Sequence, residues 1–329
     1  MQEYETLTCV RFVNWTTETD YIDIASSGGC LSYIGRIGGA QSLLIYSPGC
    51  MQRAIIQHEL QHALGFYHEN ARIDRDQYII VRTEYIIPEL LYNFNLVTEG
   101  DMLGLPYDYT SVMHYDKYAF TINASEPTII PTPNPDTDIG QRYGLTVLDV
   151  KKVNKLYNCS VCSKLLNETW GNFSSTDFST EYPTTGCVWL IRVPDGQVAL
   201  TFTYFNIQNT ECVPNYMVIY DGPTKNYPLL VDRACGTVQY PTIISSTDQM
   251  LIEFVSHDSD PSAGFTASYK TVQCGGFYSG AVRQITSPGY NTGEYPPNLN
   301  CNYTILAPVG YQVRHFLFLF FFFFFFFSL

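Results

Sequence analysis

The amino-acid sequence predicts an α+β domain followed by an all-β sandwich. Residues 51–66, MQRAIIQHELQHALGF, and residues 146–157, TVLDVKKVNKLY, carry apolar residues at helical spacing, with irregular stretches rich in Pro, Asn and Asp between them. From Cys162 onward the chain consists of short aromatic and β-branched runs separated by turn residues, which is typical of an antiparallel sandwich or barrel. A chain of 329 residues is long enough for two to three such domains.

Both predicted helices have recognisable ends. Gly65 is expected to end the first helix, because glycine readily adopts the left-handed conformation that terminates helices. The second helix is expected to begin at Thr146, since Asp149 three residues later completes a capping box. The apolar positions are Ile55, Ile56, Leu60, Ala63 and Leu64 in the first helix and Val150, Val153 and Tyr157 in the second.

Three runs in the second half are predicted to be strands. They are VALTFTYFNI at 198–207, YMVIYDG at 216–222 and MLIEFVS at 250–256. The character of the chain changes at 160–162 and again at Cys274. We therefore expect domains at 1–160 and 162–271, an incomplete domain at 274–315 and a tail at 316–329.

The charge and hydropathy of the chain exclude two classes of partner. The formal net charge of −13 argues against nucleic acid and against anionic membrane surfaces as main partners. The apolar run at 316–327 has twelve residues, whereas a helix needs about 20 to cross a bilayer. The sequence therefore predicts no transmembrane segment.

The cysteines indicate an oxidising compartment. Ten cysteines are dispersed along the chain, and the pair Cys159 and Cys162 has no second CxxC to complete a structural zinc site. An even, dispersed set predicts disulfides and hence a secreted or extracellular protein. Glycosylation sequons support this at Asn14, Asn123, Asn158, Asn167, Asn172 and Asn302.

The two ends of the chain do not fit a secreted protein. The first ten residues, MQEYETLTCV, have neither the basic nor the apolar region of a signal peptide, so we expect the natural protein to begin before Met1. Residues 320–327 are eight consecutive phenylalanines. We expect residues 316–329 to be an artefact of a low-complexity stretch rather than part of a fold.

The stretch HELQHALGFYHE at 58–69 predicts a catalytic metal site. On a helix His58 and His62 lie on one face, close enough to bind one metal ion, and Glu59 can act as general base beside them. Gly65 allows the chain to turn back and bring His68 round as a third ligand. Three neutral imidazoles suit one Zn²⁺ and leave a coordination position open, which is typical of catalytic sites.

The spacing HExxHxxGxxH with a downstream Met-turn is the metzincin pattern, and SVMHY at 111–115 supplies the turn. Together with RIDRDQY, YDYTSVMHYDKYAF and IGQRYGLTVLDVKKVNKLYNC, it resembles the astacin family of metalloendopeptidases over residues 9–159. The resemblance implies an α+β metzincin-type protease domain whose N-terminal part is missing here. It implies that His58, His62 and His68 hold zinc and that Glu59 activates water.

The resemblance also assigns the Met-turn residues. It implies that Tyr115 is an additional ligand that swings away to stabilise the oxyanion, and that Met113 forms an apolar floor beneath the metal. His114 is interpreted as structural. In the family a freed N-terminus lies near the residue matching Glu69, so we expect Glu69 to lack its partner in this chain.

Residues 162–271 resemble a CUB domain, and residues 274–315 resemble the first third of a second one. The matching segments are YPTTGCVWLIRVPDG, NYMVIYDG and IEFVSHDSDPSAGF. Many CUB domains bind calcium through three carboxylates, for which this chain carries Gln208, Asn215 and His257. We therefore expect no tight Ca²⁺ site, unless Asp258 or Glu211 takes such a place. The two resemblances imply the disulfides Cys9–Cys159, Cys30–Cys50, Cys162–Cys187, Cys212–Cys235 and Cys274–Cys301.

Two functions from different classes fit these features. The first is a secreted zinc endopeptidase (EC 3.4.24 class) acting on extracellular, egg-envelope or matrix proteins, with CUB domains that bind substrate or a partner. A protease followed directly by CUB domains looks more like the hatching enzymes than the tolloid-type enzymes. The alternative is an extracellular CUB-based binding or structural protein whose protease domain is inactive. The substrate, the cleavage preference and the oligomeric state stay open.

Overall fold

The computed structural model describes residues 1–98, 100, 102–178, 186–207, 211–256, 264–279, 285–288, 299 and 301–307. The phenylalanine-rich stretch at 316–329 and the calcium positions Gln208, His257 and Asp258 lie outside these residues. Within them, no helix is long and apolar enough to cross a membrane.

The described residues of the first half form three α-helices and two small sheets. The helices are α1 (Gln2–Leu7), α2 (Arg53–Ala63) and α3 (Val147–Leu156), and short 3-10 turns include Glu69–Ala71, Arg75–Gln77, Thr83–Tyr85 and Pro88–Phe94. Strands β1 (Tyr21–Ala25), β2 (Cys30–Ser32) and β3 (Ala40–Ile45) form a sheet in the order β1-β3-β2, with β1 parallel to β3. Strand β4 (Ile79–Val81) pairs antiparallel with β5 (Ile129–Pro131).

The two helices expected from the sequence are confirmed, and their apolar side chains share one core. Leu60 of α2, Leu43 of β3 and Val153 of α3 are buried in the same cluster. Helix α1 was missed, because six residues are too few to show a periodic pattern.

The capping box of α3 is confirmed. The Thr146 side chain accepts a hydrogen bond from the backbone N–H of Asp149 at 3.0 Å, and the Asp149 carboxylate accepts one from the N–H of Thr146 at 3.0 Å. Asp149 also accepts from the Ser111 hydroxyl at 2.5 Å and from the Val112 N–H at 3.0 Å. The start of α3 is therefore anchored to the segment expected to form the Met-turn.

Thr146→Ala is expected to destabilise the fold by about 1–2 kcal/mol, within the range for N-cap residues. The Thr146 hydroxyl caps α3 and also donates to Asp108 at 2.5 Å, so its removal leaves buried groups without a partner. The urea midpoint measures the loss. Thr146→Ser keeps the hydroxyl and is the control; equal midpoints for the two variants would show that the cap contributes nothing.

The second half is a β-sandwich, as expected. One sheet has five strands in the order β11-β10-β13-β8-β6 and the other has four in the order β12-β9-β14-β7, and all pairings are antiparallel except β6 with β8. The strands are β6 (Ser163–Leu166), β7 (Trp170–Ser174), β8 (Cys187–Arg192), β9 (Gln197–Asn206), β10 (Tyr216–Tyr220), β11 (Leu229–Ala234), β12 (Ile243–Ile244), β13 (Gln249–Val255) and β14 (Gly264–Val272). Beyond them β15 (Gly275–Ser279) pairs parallel with β16 (Asn302–Leu306).

The outer face of the five-stranded sheet packs against the first half of the chain. In β8, Trp189 and Ile191 belong to the core between the two sheets, whereas Leu190 between them belongs to the core that contains Tyr4 and Leu7. Leu190 lies opposite Leu165 on β6 and Leu251 on β13, and all three leucines are at most 3% exposed. A strand buried on both faces carries a continuous apolar run rather than an alternating one.

Five disulfides are present, and they join the cysteines in the pairs that the two resemblances imply. The pairs are Cys9–Cys159, Cys30–Cys50, Cys162–Cys187, Cys212–Cys235 and Cys274–Cys301. Among the sequon asparagines, Asn167 is half-buried, and the exposed ones are Asn14, Asn123, Asn158, Asn172 and Asn302.

Candidate metal centre

The three histidines of the motif converge. The Nε2 atoms of His58 and His62 are 3.0 Å apart, and that of His68 lies 3.2 Å from each of them. His58 and His62 come from successive turns of α2, and Gly65, with a φ of +101°, lets the chain turn back to His68. Within the described residues, these three form the group of side chains able to hold a metal ion.

The outer nitrogens of two of these rings are fixed by backbone carbonyls. The Nδ1 atoms of His58 and His62 lie 2.7 Å from the carbonyl oxygens of Val112 and Phe66, respectively. A carbonyl oxygen only accepts, so Nδ1 carries the proton and Nε2 keeps its lone pair for a ligand. Helix α2 and the two backbone contacts thus orient the rings toward one point.

The histidines are held in the neutral form. Burial, together with the neighbouring His62, lowers the pKa of His58 to about 3 and that of His68 to about 2. Burial also lowers the pKa of His62. Neutral imidazoles are the form that binds metal ions, so no proton has to leave at neutral pH before a metal binds.

The donor set fits Zn²⁺. Tetrahedral zinc with Zn–N bonds of about 2.0–2.1 Å separates its nitrogen ligands by roughly 3.3 Å. The Nε2 separations of 3.0–3.2 Å match that value closely. All three donors are imidazole nitrogens, which favour zinc over calcium or magnesium.

Glu59 is buried beside this group. It follows His58 on α2, is 4% exposed, and its Oε2 atom has no hydrogen-bond partner among the described residues. Burial raises the pKa of Glu59 to about 7, and the guanidinium of Arg142 opposes that rise. A buried carboxylate oxygen with no protein partner fits a water molecule held next to the metal.

Two residues of the Met-turn contact the segment that carries the third histidine. Met113 is 1% exposed, and its carbonyl accepts a hydrogen bond from the N–H of Glu69 at 2.9 Å. The Tyr115 hydroxyl lies 3.2 Å from Nδ1 of His68, on the outer side of that ring rather than among the three Nε2 atoms. Its role as a further ligand or oxyanion donor stays a prediction.

Both ring nitrogens of His114 contact groups other than the metal ligands. It is 0% exposed, its Nε2 is 2.7 Å from the Tyr107 hydroxyl, and its Nδ1 is 2.7 Å from the carbonyl oxygen of Tyr115. These contacts fit the structural interpretation.

The expectation that Glu69 lacks a partner is wrong. Its carboxylate is bonded to the ammonium of Lys152 on α3, and it accepts from Arg72 at 3.2 Å and from the N–H of Asp108 at 3.0 Å. Lys152 is only 6% exposed, although a lysine in a helix is usually solvated. Glu69, which follows the third histidine, is therefore held by a buried ion pair with Lys152.

Arg142 was not expected to influence the site. Besides the effect of burial, the positive charge of its guanidinium acts to lower the pKa of His58, Glu59 and His68. The segment IGQRYG carried part of the family resemblance, but no pattern in it pointed to a role for the arginine.

The comparisons with known proteins agree with this geometry. The family model for the astacin peptidase family matches residues 1–158, and the CUB domain model matches residues 162–269. Embryonic protein UVS.2 of Xenopus laevis is 52% identical over 95% of this chain and 61% of its own length. The astacin-like metalloendopeptidase of Coturnix japonica is 45% identical over 83% of this chain and 67% of its own length.

Among solved structures, high choriolytic enzyme 1, a hatching enzyme zinc-protease from Oryzias latipes, is 49% identical with a TM-score of 0.47. That match covers 48% of this chain and 79% of the other. The chain spans about three fifths of the length of the Xenopus relative. The peptidase-family model matches the first half of the chain, and the chain covers two thirds of the Coturnix relative. The chain therefore belongs to the astacin family of metalloendopeptidases and carries a CUB domain after the peptidase domain.

Proposed function

We propose that this chain is a secreted zinc endopeptidase that hydrolyses peptide bonds of extracellular proteins. The observation that carries the proposal is the convergence of three neutral imidazole nitrogens within 3.2 Å of one another. Glu59, with a buried and unpartnered Oε2 among the described residues, lies next to them. A structural zinc site would have four protein ligands and would need no carboxylate beside it.

His58, His62 and His68 would hold the zinc ion. Bound there, Zn²⁺ would supply Lewis acidity toward the scissile carbonyl and toward a water molecule. Glu59 would accept the proton of the attacking water and return it to the departing amine, and a pKa raised to about 7 suits both transfers at neutral pH.

Tyr115 would assist the chemistry as a hydrogen-bond donor. Burial raises the pKa of Tyr115 to about 12, so without a metal its hydroxyl is protonated at neutral pH. A protonated phenol near His68 could donate to the developing oxyanion. The packing of its ring against His68 and Phe94 limits how far it can move.

The proposed substrate class rests on sequence similarity rather than on the domain order. Only residues 159–161 separate the two family matches, so the CUB domain follows the peptidase domain directly. Tolloid-like protein 2 of Mus musculus also matches 95% of this chain but is only 36% identical, whereas the Xenopus and Coturnix relatives are 52% and 45% identical. We propose egg-envelope or related matrix proteins as substrates. Five disulfides and the exposed sequons support secretion.

Degradation of gelatin tests this proposal. The secreted chain should release gelatin fragments, and a zinc chelator should prevent their release. An intact, zinc-loaded chain that leaves both gelatin and egg-envelope protein uncut would favour a CUB-based binding protein instead.

We further propose that the CUB domain has no tight calcium site, because Gln208, Asn215 and His257 stand where carboxylates would bind Ca²⁺. Adding 1 mM Ca²⁺ should leave the melting temperature unchanged, whereas a site with a Kd near 1 μM would add about 4 kcal/mol of stability. The triple variant Gln208→Glu, Asn215→Asp, His257→Asp is the matched control, expected to gain a calcium-dependent shift. A shift of several degrees in the unaltered chain would contradict the proposal.

A further inference from the structure

Arg192 belongs to the CUB domain but its guanidinium reaches into the peptidase domain. It is the last residue of β8 and is 4% exposed. Nη1 donates to the carboxylate of Glu3 at 2.6 Å, and Nη2 donates to the carbonyl oxygen of Leu145 at 2.5 Å. A guanidinium this deeply buried is tolerated only where its charge and its donors are satisfied.

The two acceptors of Arg192 are joined to each other through the metal-binding helix. Gln57 of α2 donates to Glu3 at 2.8 Å, and its own oxygen accepts from the N–H of Leu145 at 3.0 Å. Gln249 of β13 donates to the other oxygen of Glu3 at 2.7 Å. Arg192, Glu3, Gln57 and Leu145 therefore form a closed ring of hydrogen bonds, which we call the interdomain ring.

Two members of the interdomain ring are linked to the metal centre through neighbouring residues. Gln57 is the residue before His58, so its side chain fixes the rotation of α2 where the ligands begin. Leu145 precedes the N-cap residue Thr146 of α3. Asp149 of the same cap accepts from the N–H of Val112, whose carbonyl oxygen lies 2.7 Å from Nδ1 of His58. The ring thus holds both the ligand-bearing helix and the turn that leads into α3.

The backbone at Gly144 is shaped around Arg192. Gly144 has a φ of +150°, and a Cβ there would lie 2.5 Å from Nη1 of Arg192. Only glycine fits between the guanidinium and the turn that leads to α3. The segment 142–145 therefore rests directly on a side chain of the CUB domain.

We propose that Arg192 is a positioning residue of the peptidase site, through which the CUB domain holds α2 and the 142–145 segment in their working orientation. The expected effect on kcat rests on the proposed peptidase function. The structural coupling between the CUB domain and the 142–145 segment does not depend on it. It gives the CUB domain a structural part in catalysis, besides any binding of substrate.

A second ion pair across the same interface supplies a matched control. Arg53, the first residue of α2, contacts Asp248 at 2.8 Å, and their side chains are 37% and 30% exposed. Exposed pairs of this kind contribute about 0–1 kcal/mol. The guanidinium of Arg53 donates to Asp248 and not to the interdomain ring, so Arg53→Gln removes an interdomain charge without removing a hydrogen bond of Gln57 or Leu145.

The experiment compares Arg192→Gln, Arg192→Lys and Arg53→Gln with the unaltered secreted chain. We expect Arg192→Gln to lower kcat about 10-fold or more with little change in KM, since small displacements of catalytic groups cost that much. Lysine can reach only one of the two acceptors, so the kcat of Arg192→Lys should lie between that of Arg192→Gln and that of the unaltered chain. Hydrogen exchange of the backbone over 143–147 should speed up in the same order, while Arg53→Gln matches the unaltered chain in both measurements.

The outcomes separate the inference from the proposed function. If Arg192→Gln matches Arg53→Gln in kcat and in hydrogen exchange, the positioning role is wrong. If the unaltered chain has no turnover, the peptidase proposal fails, and the exchange rates alone decide whether the coupling exists. If Arg192→Gln is not secreted, Arg192→Lys is measured in its place. A kcat and exchange rates equal to those of the unaltered chain would then overturn the inference.

Discussion

Glu59→Gln should leave zinc bound and reduce kcat by about 10²–10⁴-fold, the usual contribution of a positioned general base. The carboxamide has the size of the carboxylate but cannot accept the proton of the attacking water. The three ligand nitrogens belong to His58, His62 and His68, so the metal content should stay at one ion per chain. Metal analysis and peptide turnover on the same sample give both quantities.

The matched control is the same chemical change at an exposed glutamate. Glu84 is 60% exposed and pairs only loosely with Arg82 at 3.3 Å, so Glu84→Gln should keep full turnover. If Glu59→Gln kept more than half of the turnover, Glu59 could not be the base. A loss of zinc with the activity would instead show that the carboxylate supports the ligands.

Leu190→Ala should lower the free energy of unfolding by about 2–5 kcal/mol, the cost of truncating a fully buried leucine. Leu190 is 0% exposed and lies between Leu165 and Leu251 in the row that packs against Tyr4 and Leu7. Alanine there leaves a cavity between the two domains. The midpoint of denaturant unfolding, followed for the whole chain, measures the loss.

Leu229→Ala is the control for that measurement. Leu229 lies on β11 of the same sheet but is 40% exposed, so its truncation should change stability by no more than about 0.5 kcal/mol. The shared core further predicts that the two domains unfold in one transition. Two separate transitions, or equal midpoints for the two variants, would show that the domains fold independently.

The sequence was sufficient to predict those parts of the molecule that depend on local spacing. His58 and His62 are one helical turn apart and His68 follows one glycine turn, so their convergence is a property of eleven consecutive residues. The start of α3 was equally predictable, because Thr146 and Asp149 satisfy each other within one turn.

The features that sequence reasoning missed depend on partners far away in the chain. Lys152 meets Glu69 across 83 positions, and Arg192 meets Glu3 across 189. A lysine in a helix or an arginine at a strand end is usually solvated, so no local pattern distinguishes these two buried cations. Their burial is tolerated only because the fold brings a carboxylate to each.

The outer face of the five-stranded sheet was missed for a related reason. A run such as CVWLIR, residues 187–192, can be a strand buried on one face or on both, and periodicity does not distinguish them. The positions of α1 and the metal-binding helix show that Leu190 packs in the core of the first domain rather than in the core between the two sheets.

The most direct test of the zinc-peptidase account is a zinc titration of the metal-stripped chain, followed by turnover of a quenched fluorescent peptide. We expect no turnover without metal, a linear rise with added Zn²⁺ and a plateau at one equivalent, with no recovery in His62→Ala. Turnover that survives stripping, or that returns equally in His62→Ala, would contradict the assignment of His58, His62 and His68 as the ligands of a catalytic zinc ion.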